Sequence, residues 1–233
     1  MKQLITFVAL CFSLAAGAQQ VNDANAELRN AKGYHAINVS NAFDVYLSQG
    51  ADEAVAVSAK EIKDRNNITV EVKDGVLYIG MAKGWSWKGG NKKLRAYISF
   101  KTIDKLTVSG ACDVYITGTL KADELRINQS GASDMKGKVE IGKLTVDLSG
   151  ASDMQLTGTV AQLKVEASGA SDFKGFDLVT ETCDADASGA SDIKITVNKE
   201  LSARASGASD VRYRGNGVVR DMHSSGSGKV SKG

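Results

Sequence analysis

Apolar and polar side chains alternate through most of this chain. Leu144-Thr145-Val146-Asp147-Leu148 forms one such run and Met154-Gln155-Leu156 the next, while Leu163, Val165, Ala167 and Phe173 keep the same beat one period later. Leu125, Ile127 and Met135 follow it, as do Leu201, Ala203, Ala205 and Val211. A period of two sends alternate side chains to opposite faces, so each run predicts a strand with one face turned to a shared interior. Beyond the N-terminus no segment shows the three- and four-residue spacing of a helix.

The runs are punctuated by a fixed pentapeptide. Ser109-Gly110-Ala111-Cys112-Asp113 is followed by Ser-Gly-Ala-Ser-Asp beginning at Ser130, Ser149, Ser168, Ser188 and Ser206, and then by Ser225-Gly226-Ser227-Gly228-Lys229. Successive serines lie 21, 19, 19, 20, 18 and 19 residues apart. This period is too short for a propeller blade and lacks the leucine-rich signature of a horseshoe. Nineteen extended residues have a contour of about 60 Å, which suits one coil of short strands joined by corners. The expected fold is therefore all-β, a single-chain parallel β-helix or β-solenoid with coils of about 19 residues. The general preference for right-handed crossovers favours the right hand, although the residues themselves do not fix it. A single coil buries too little to offset the backbone entropy it fixes, so stability must come from stacking neighbours.

The first third of the chain fits the same frame less regularly. Ile37-Asn38-Val39-Ser40-Asn41-Ala42-Phe43-Asp44-Val45-Tyr46-Leu47 aligns with Leu106-Thr107-Val108-Ser109-Gly110-Ala111-Cys112-Asp113-Val114-Tyr115-Ile116. Asn41 takes a glycine position there, and asparagine is the side chain that best tolerates a left-handed backbone. Residues 54–59, 68–72 and 76–81 read as strands, with Lys73-Asp74-Gly75 as a hairpin turn. The organisation expected is a signal peptide over 1–18, a linker over 19–33, irregular coils with an inserted hairpin over 34–105, the regular repeat over 106–219, and a decayed coil and tail over 220–233.

Composition adds the compartment. Met1-Lys2-Gln3, an apolar stretch from Leu4 to Ala16 and the small-residue site Ala16-Gly17-Ala18 make a secretory signal. The mature chain is then exported, to the periplasm, the outer surface or the medium. Lipid attachment at Cys11 is the weaker reading, because Leu10 stands where a small residue is needed. No later run approaches the roughly 18 apolar residues of a membrane span. A net charge of +2 gives no pull toward nucleic acid. Cys112 falls at a corner serine position and Cys183 at an inward leucine position, so two separate substitutions explain them better than a disulfide. The 24 glycines and the absence of proline suit hydrogen-bonded strands with glycine corners.

Two features carry candidate chemistry. The aligned Asp113, Asp134, Asp153, Asp172, Asp192 and Asp210 should form a ladder. Carboxylates about 4.8 Å apart repel by about 0.9 kcal/mol in water, so something must offset the cost. Either each Asp accepts backbone N–H bonds at its corner while serine hydroxyls bridge the coils, or the ladder binds a cation such as calcium. The second feature is Trp85, Trp87, Lys88, Lys92 and Lys93 in one interruption of the strands. Exposed tryptophan beside lysine suits a sugar ring or an anionic polymer, whereas a hairpin tip folding its indoles over the coil edge would be structural.

Enzyme signatures are sparse. His35 and His223 lie far apart in the sequence, and neither forms a metal-ligand spacing with cysteine or the other histidine. No nucleophile elbow or phosphate loop occurs. The leading reading is a non-catalytic binding or adhesion module directed at a glycan or cell-surface polymer. The alternatives are a polysaccharide-acting β-helix enzyme and a structural element that self-associates through open coil ends.

The Phe43-Asp44-Val45-Tyr46-Leu47 opening, the strands around Val57, Val70 and Leu77, and the reiterated corners resemble a family of secreted Bacteroidetes proteins called "putative autotransporter adhesins", with a head GIN domain. The resemblance covers roughly residues 34–215. It implies a right-handed β-helix-like fold and an adhesive role, and it brings no catalytic residues. No outer-membrane barrel or C-terminal sorting domain is recognisable in this sequence, which departs from the word autotransporter.

Overall fold

The computed structural model describes residues 23–86 and 92–233. The expected signal peptide and residues 19–22 of the expected linker lie outside the described residues. Strands β1 (Glu27–Arg29), β2 (Ala36–Val39), β3 (Asp44–Gln49) and β4 (Ala54–Ser58) precede a single helical turn, α1 (Ile62–Arg65). Then come β5 (Ile68–Lys73), β6 (Val76–Met81), β7 (Arg95–Phe100) and β8 (Lys105–Val108). The repeat follows as β9 (Asp113–Gln129), β10 (Asp134–Leu148), β11 (Asp153–Ala167), β12 (Asp172–Ala187) and β13 (Asp192–Ala205). The last coil is built from β14 (Asp210–Arg214), β15 (Val218–Ser224) and β16 (Lys229–Lys232). The chain is a β-solenoid of about seven turns with parallel bridges between coils.

Each regular coil is one long strand that runs from the corner aspartate round to the next corner serine. Its register against the neighbouring coil is set by the motif itself: Asp113 pairs Asp134, which pairs Asp153, then Asp172, Asp192 and Asp210. The unequal coil lengths are absorbed away from the corner, in bulges between Lys136 and Lys138, Gln155 and Gly158, and Gly175 and Val179. Extra residues are placed where the wall bends, so the corners stay in step.

The corners stay in step because glycine sits on glycine. Gly150 has φ +80, and a Cβ there would meet the carbonyl oxygen of Gly131 at 2.4 Å. Gly131, Gly169, Gly189 and Gly207 stand in the same relation to the glycine below them, and the base of the column is Asn41 with φ 83. The amide two residues on from Ser130, that of Ala132, donates to the Gly110 carbonyl at 2.8 Å, and Ala151, Ala170, Ala190 and Ala208 repeat this bond coil by coil.

Inward side chains form continuous columns. Val45, Val114, Met135, Met154, Phe173, Ile193 and Val211 make one, all buried. A second runs Val39, Val108, Gln129, Leu148, Ala167, Ala187, Ala205. Gln129 breaks the apolar rule at 1% exposure: its Nε2 donates to the Asp153 carbonyl and to that of Ser133, while its Oε1 has no partner. Cys112 and Cys183 are both buried and free.

The N-terminal end is closed by strands that run the other way. β4 pairs antiparallel with β7 and with β1, and β5 folds back antiparallel on β6. Asp74 and Gly75, at φ 50 and 74, make the expected turn in that hairpin. The helical turn α1 differs from the expectation of a helix-free chain, since four residues are too few to show a period. It carries Asp64, buried at 6% side-chain exposure and 3.2 Å from the Lys92 ammonium.

Candidate functional site

The fold accounts for four of the five motif residues. Glycine fills the left-handed corner, and the second serine is fully buried in every repeat. Its hydroxyl donates back across the turn, from Ser152 to the Ser149 carbonyl at 2.9 Å, from Ser191 to Ser188 at 2.8 Å and from Ser209 to Ser206 at 2.8 Å. Cys112 occupies that place in its coil, and its thiol lies 3.4 Å from the Ser109 carbonyl. Burial first, and then the Asp113 and Asp44 charges, push the Cys112 thiol up to about 11, although the Phe43 amide opposes this. Serine hydroxyls also bridge coils as expected, from Ser168 to Leu148 and from Ser191 to Ala167.

The aspartates remain, and they face outward. Their backbone amides donate to the coil below, as from Asp153 to the Ser133 carbonyl at 3.0 Å. The side-chain partners found among the described residues are cations rather than the backbone N–H groups expected at the corner. The Lys174 ammonium is 2.6 Å from Asp153 and 3.7 Å from Asp172, and Arg212 donates to Asp210 at 2.8 Å. These cations stand two residues along the strand, so they form a second outward column of Lys136, Gln155, Lys174, Lys194 and Arg212. The ladder is also longer than the six residues singled out. Asp44 is its first carboxylate, while Arg95 pairs beyond Asp44 at one end and Lys229 pairs with Asp210 at the other.

Toward the N-terminal end the second column changes chemistry. Tyr97, Tyr46 and Tyr115 stack with ring centroids 5.2 and 5.4 Å apart. Tyr97 donates to Asp23, which also accepts from Arg95 at 3.0 Å. Burial pushes the Asp23 carboxyl up, but hydrogen bonds from Ser58, Asn25, Arg95 and Tyr97 outweigh it and hold the group below its ordinary value. Tyrosine cannot neutralise a neighbouring carboxylate as lysine does. Asp113 shows the effect: burial, then the Asp134 and Asp44 charges, raise its carboxyl above the ordinary value against the opposition of Lys136. Among the described residues no three His, Cys, Asp or Glu side chains are grouped to hold a metal ion. The carboxylates stand in a line rather than converging.

The tryptophan and lysine segment is divided. Trp85 is half-buried against the hydrophobic core, with its amide donating to the Ala82 carbonyl at 3.0 Å. Lys92 is turned inward to Asp64, and Lys93 adopts φ 46. Trp87 and Lys88 lie outside the described residues. The sequence reading missed the Tyr46, Tyr97 and Tyr115 stack, although Arg95-Ala96-Tyr97 repeats the spacing of Asp44-Val45-Tyr46.

The family model described as "putative auto-transporter adhesin, head GIN domain" matches residues 33–217. The chain belongs to this family. Solved structures share the fold of this GIN-domain protein at low identity. A putative adhesin of Bacteroides fragilis is 21% identical with a TM-score of 0.82, over 89% of this chain and 95% of that one. A putative adhesin of Parabacteroides merdae is 19% identical with a TM-score of 0.69, over 89% and 95% of the two chains. A protein of Parabacteroides distasonis named as a putative lipid binding protein is 19% identical with a TM-score of 0.68, over 90% and 97%. No curated protein matches the chain. No helix among the described residues is long and apolar enough to cross a membrane.

Proposed function

We propose that this GIN-domain protein is an exported, non-catalytic binding module of the cell envelope, whose corner-flanking face meets a polymer through many equivalent weak contacts. The observation that carries the reading is the unbroken register of the aspartate column beside the tyrosine and cation column. Glycine and serine are absorbed by the corner, and the apolar residues by the core, whereas the outward pair contributes little to either. Each coil offers its aspartate again after about 4.8 Å, beside a tyrosine, a glutamine or a cation, so a repeating ligand engages several coils at once and gains avidity without any single strong site. The N-terminal export signature and the family's adhesin description support placement at the envelope.

The test is binding of the exported chain to intact cells and to isolated wall polymers, compared with a triple variant Asp153→Asn, Asp172→Asn and Lys174→Gln. Saturable binding that weakens by about tenfold in the variant is expected. Absence of binding by the unaltered chain, or shortening of a glycan incubated with it, sinks the proposal. The same preparation melted with and without calcium separates the cation reading, since no calcium-dependent rise is expected from carboxylates that already face lysine and arginine.

A further inference from the structure

A second face of the solenoid carries a groove that the charged columns do not explain. It lies on the leg of each coil that leads into the corner, between two outward rows. One row runs Lys143, Gln162, Thr182, Glu200 and the other Thr145, Lys164, Asp184, Ser202. The cavity holds about 290 Å³, extends to Arg220 of the last coil, and has Leu144, Leu163 and Cys183 in its floor. Four steps between coils at about 4.8 Å make it roughly 19 Å long, parallel to the solenoid axis.

Its chemistry narrows the occupant. Every charge on the rim is already matched: Lys143 lies 2.8 Å from Glu124, Lys164 2.6 Å from Glu166, Arg220 2.7 Å from Glu200, and Arg204 4.0 Å from Asp184. A polyanion such as nucleic acid or an acidic polysaccharide would have to break these pairs. The floor side chains are committed to the core at no more than 5% exposure, so the floor itself gives a lipid chain little to bury. The floor strands are hydrogen-bonded on both sides, which leaves no free edge to pair with an extended peptide. What the middle does offer is hydroxyl and amide groups. The side chains of Thr145, Gln162 and Ser202 make no hydrogen bond among the described residues, and the Thr182 hydroxyl makes one of 3.5 Å. A pyranose ring is about as long as the spacing between coils, and its hydroxyls both donate and accept.

We propose that this groove binds a linear, uncharged glycan laid along the solenoid axis, with about one sugar facing each coil. The inference shares the view of the protein as a binding module but concerns a face separate from the aspartate column. The test uses calorimetric titration of the whole exported chain with cellohexaose, maltohexaose and the hexamer of N-acetylglucosamine, with hexagalacturonate as the charged control. The expected result is saturable binding of a neutral hexamer and none of the acidic one. Thr182→Trp, which fills the groove from an outward strand position, and Gln162→Ala, which removes its amide, should each weaken that binding by about tenfold. Thermal melts establish that both variants fold, and Gln162→Ala covers the case in which tryptophan is not tolerated. Failure of all three neutral hexamers to bind, or binding unchanged in the folded variants, overturns the groove assignment. The two proposals fail separately: the Asp153, Asp172 and Lys174 triple variant should leave hexamer binding intact, and attachment to cells that survives Thr182→Trp leaves the corner-flanking face standing alone.

Discussion

The regular coils from β9 to β13 and the N-terminal cap around β1, β4, β5 and β7 solve the same problem by different means. In the regular coils each surface rests on a copy of itself, so one local solution is repeated: glycine on glycine, serine across the turn, aspartate paired with aspartate. In the cap the first coil has no copy beneath it. There the chain turns antiparallel, places a buried ion pair between Asp64 and Lys92, and ties Asp23 to Arg95 and Tyr97. Repetition is thus the mark of a coil that has neighbours of its own kind, and it is lost where the stack has to be closed.

The sharpest way to break that contrast is at the glycine column. Gly169→Ala should cost at least about 3 kcal/mol, because a left-handed alanine is strained and its Cβ would sit 2.5 Å from the Gly150 carbonyl oxygen. Asn41→Gly at the base of the same column should change stability by less than about 1 kcal/mol. There, relief of the left-handed backbone is set against loss of the Asn41 side-chain bond to the Met81 amide at 3.0 Å. Urea melts of both variants check this, and equal losses would refute the view that the demand for glycine arises from stacking on an identical coil.

The cap has its own point of failure. Lys92→Met leaves Asp64 as a buried carboxylate with no cation, and a loss of about 3 kcal/mol is expected. The double change Asp64→Leu with Lys92→Met should recover much of it, since a buried ion pair often contributes little over packed apolar groups. Hydrogen exchange should show the single variant opening β4 and β7 while β10 to β12 stay protected. Uniform loss of protection would mean that cap and repeat unfold as one unit.

Within the repeat, the one polar member of an inward column offers a gain. Gln129 stands between Val108 and Leu148 with an unpartnered Oε1, so Gln129→Leu should raise stability by about 1 kcal/mol. A fall would show that the Nε2 bonds to the Ser133 and Asp153 carbonyls outweigh the cost of the buried acceptor.

These contrasts also explain what could be read from residues alone. The coils, their length and the six aspartates were legible because each is a local constraint stated six times over. The cation column was harder to see although Lys136, Lys174, Lys194 and Arg212 each follow their aspartate by two residues, because Tyr115 and Gln155 interrupt it and the first Asp-x-Tyr coils hide the pattern. The cap was least legible: β1 is three residues long, α1 is four, and Arg95 acquires its role from Asp23, far away in sequence. The lysines beside Trp85 looked like ligand groups because nothing local reveals that Lys92 turns inward to Asp64.

The smallest expected effect lies where the two regions meet. Asp113 has tyrosine at its strand-mate position, and Lys136 opposes its acidic neighbours without outweighing them, whereas Asp153 and Asp172 share Lys174 at 2.6 and 3.7 Å. Burial and the Asp134 and Asp44 charges raise the folded-state value of Asp113, so the folded form holds its proton to higher pH than the unfolded chain does. Stability from this group is therefore present in acid and falls as pH rises from the ordinary aspartate value through the raised one. Asp113→Asn should gain less than about 1 kcal/mol near neutral pH, since solvent screens an outward face, and the gain should vanish in acid. Asp172→Asn should show no such gain at any pH, because it removes a partner of Lys174. Paired melts at the two pH values decide it: a gain for both variants would mean that lysine does not relieve the ladder, and that the change from tyrosine to cation along the face has no electrostatic consequence.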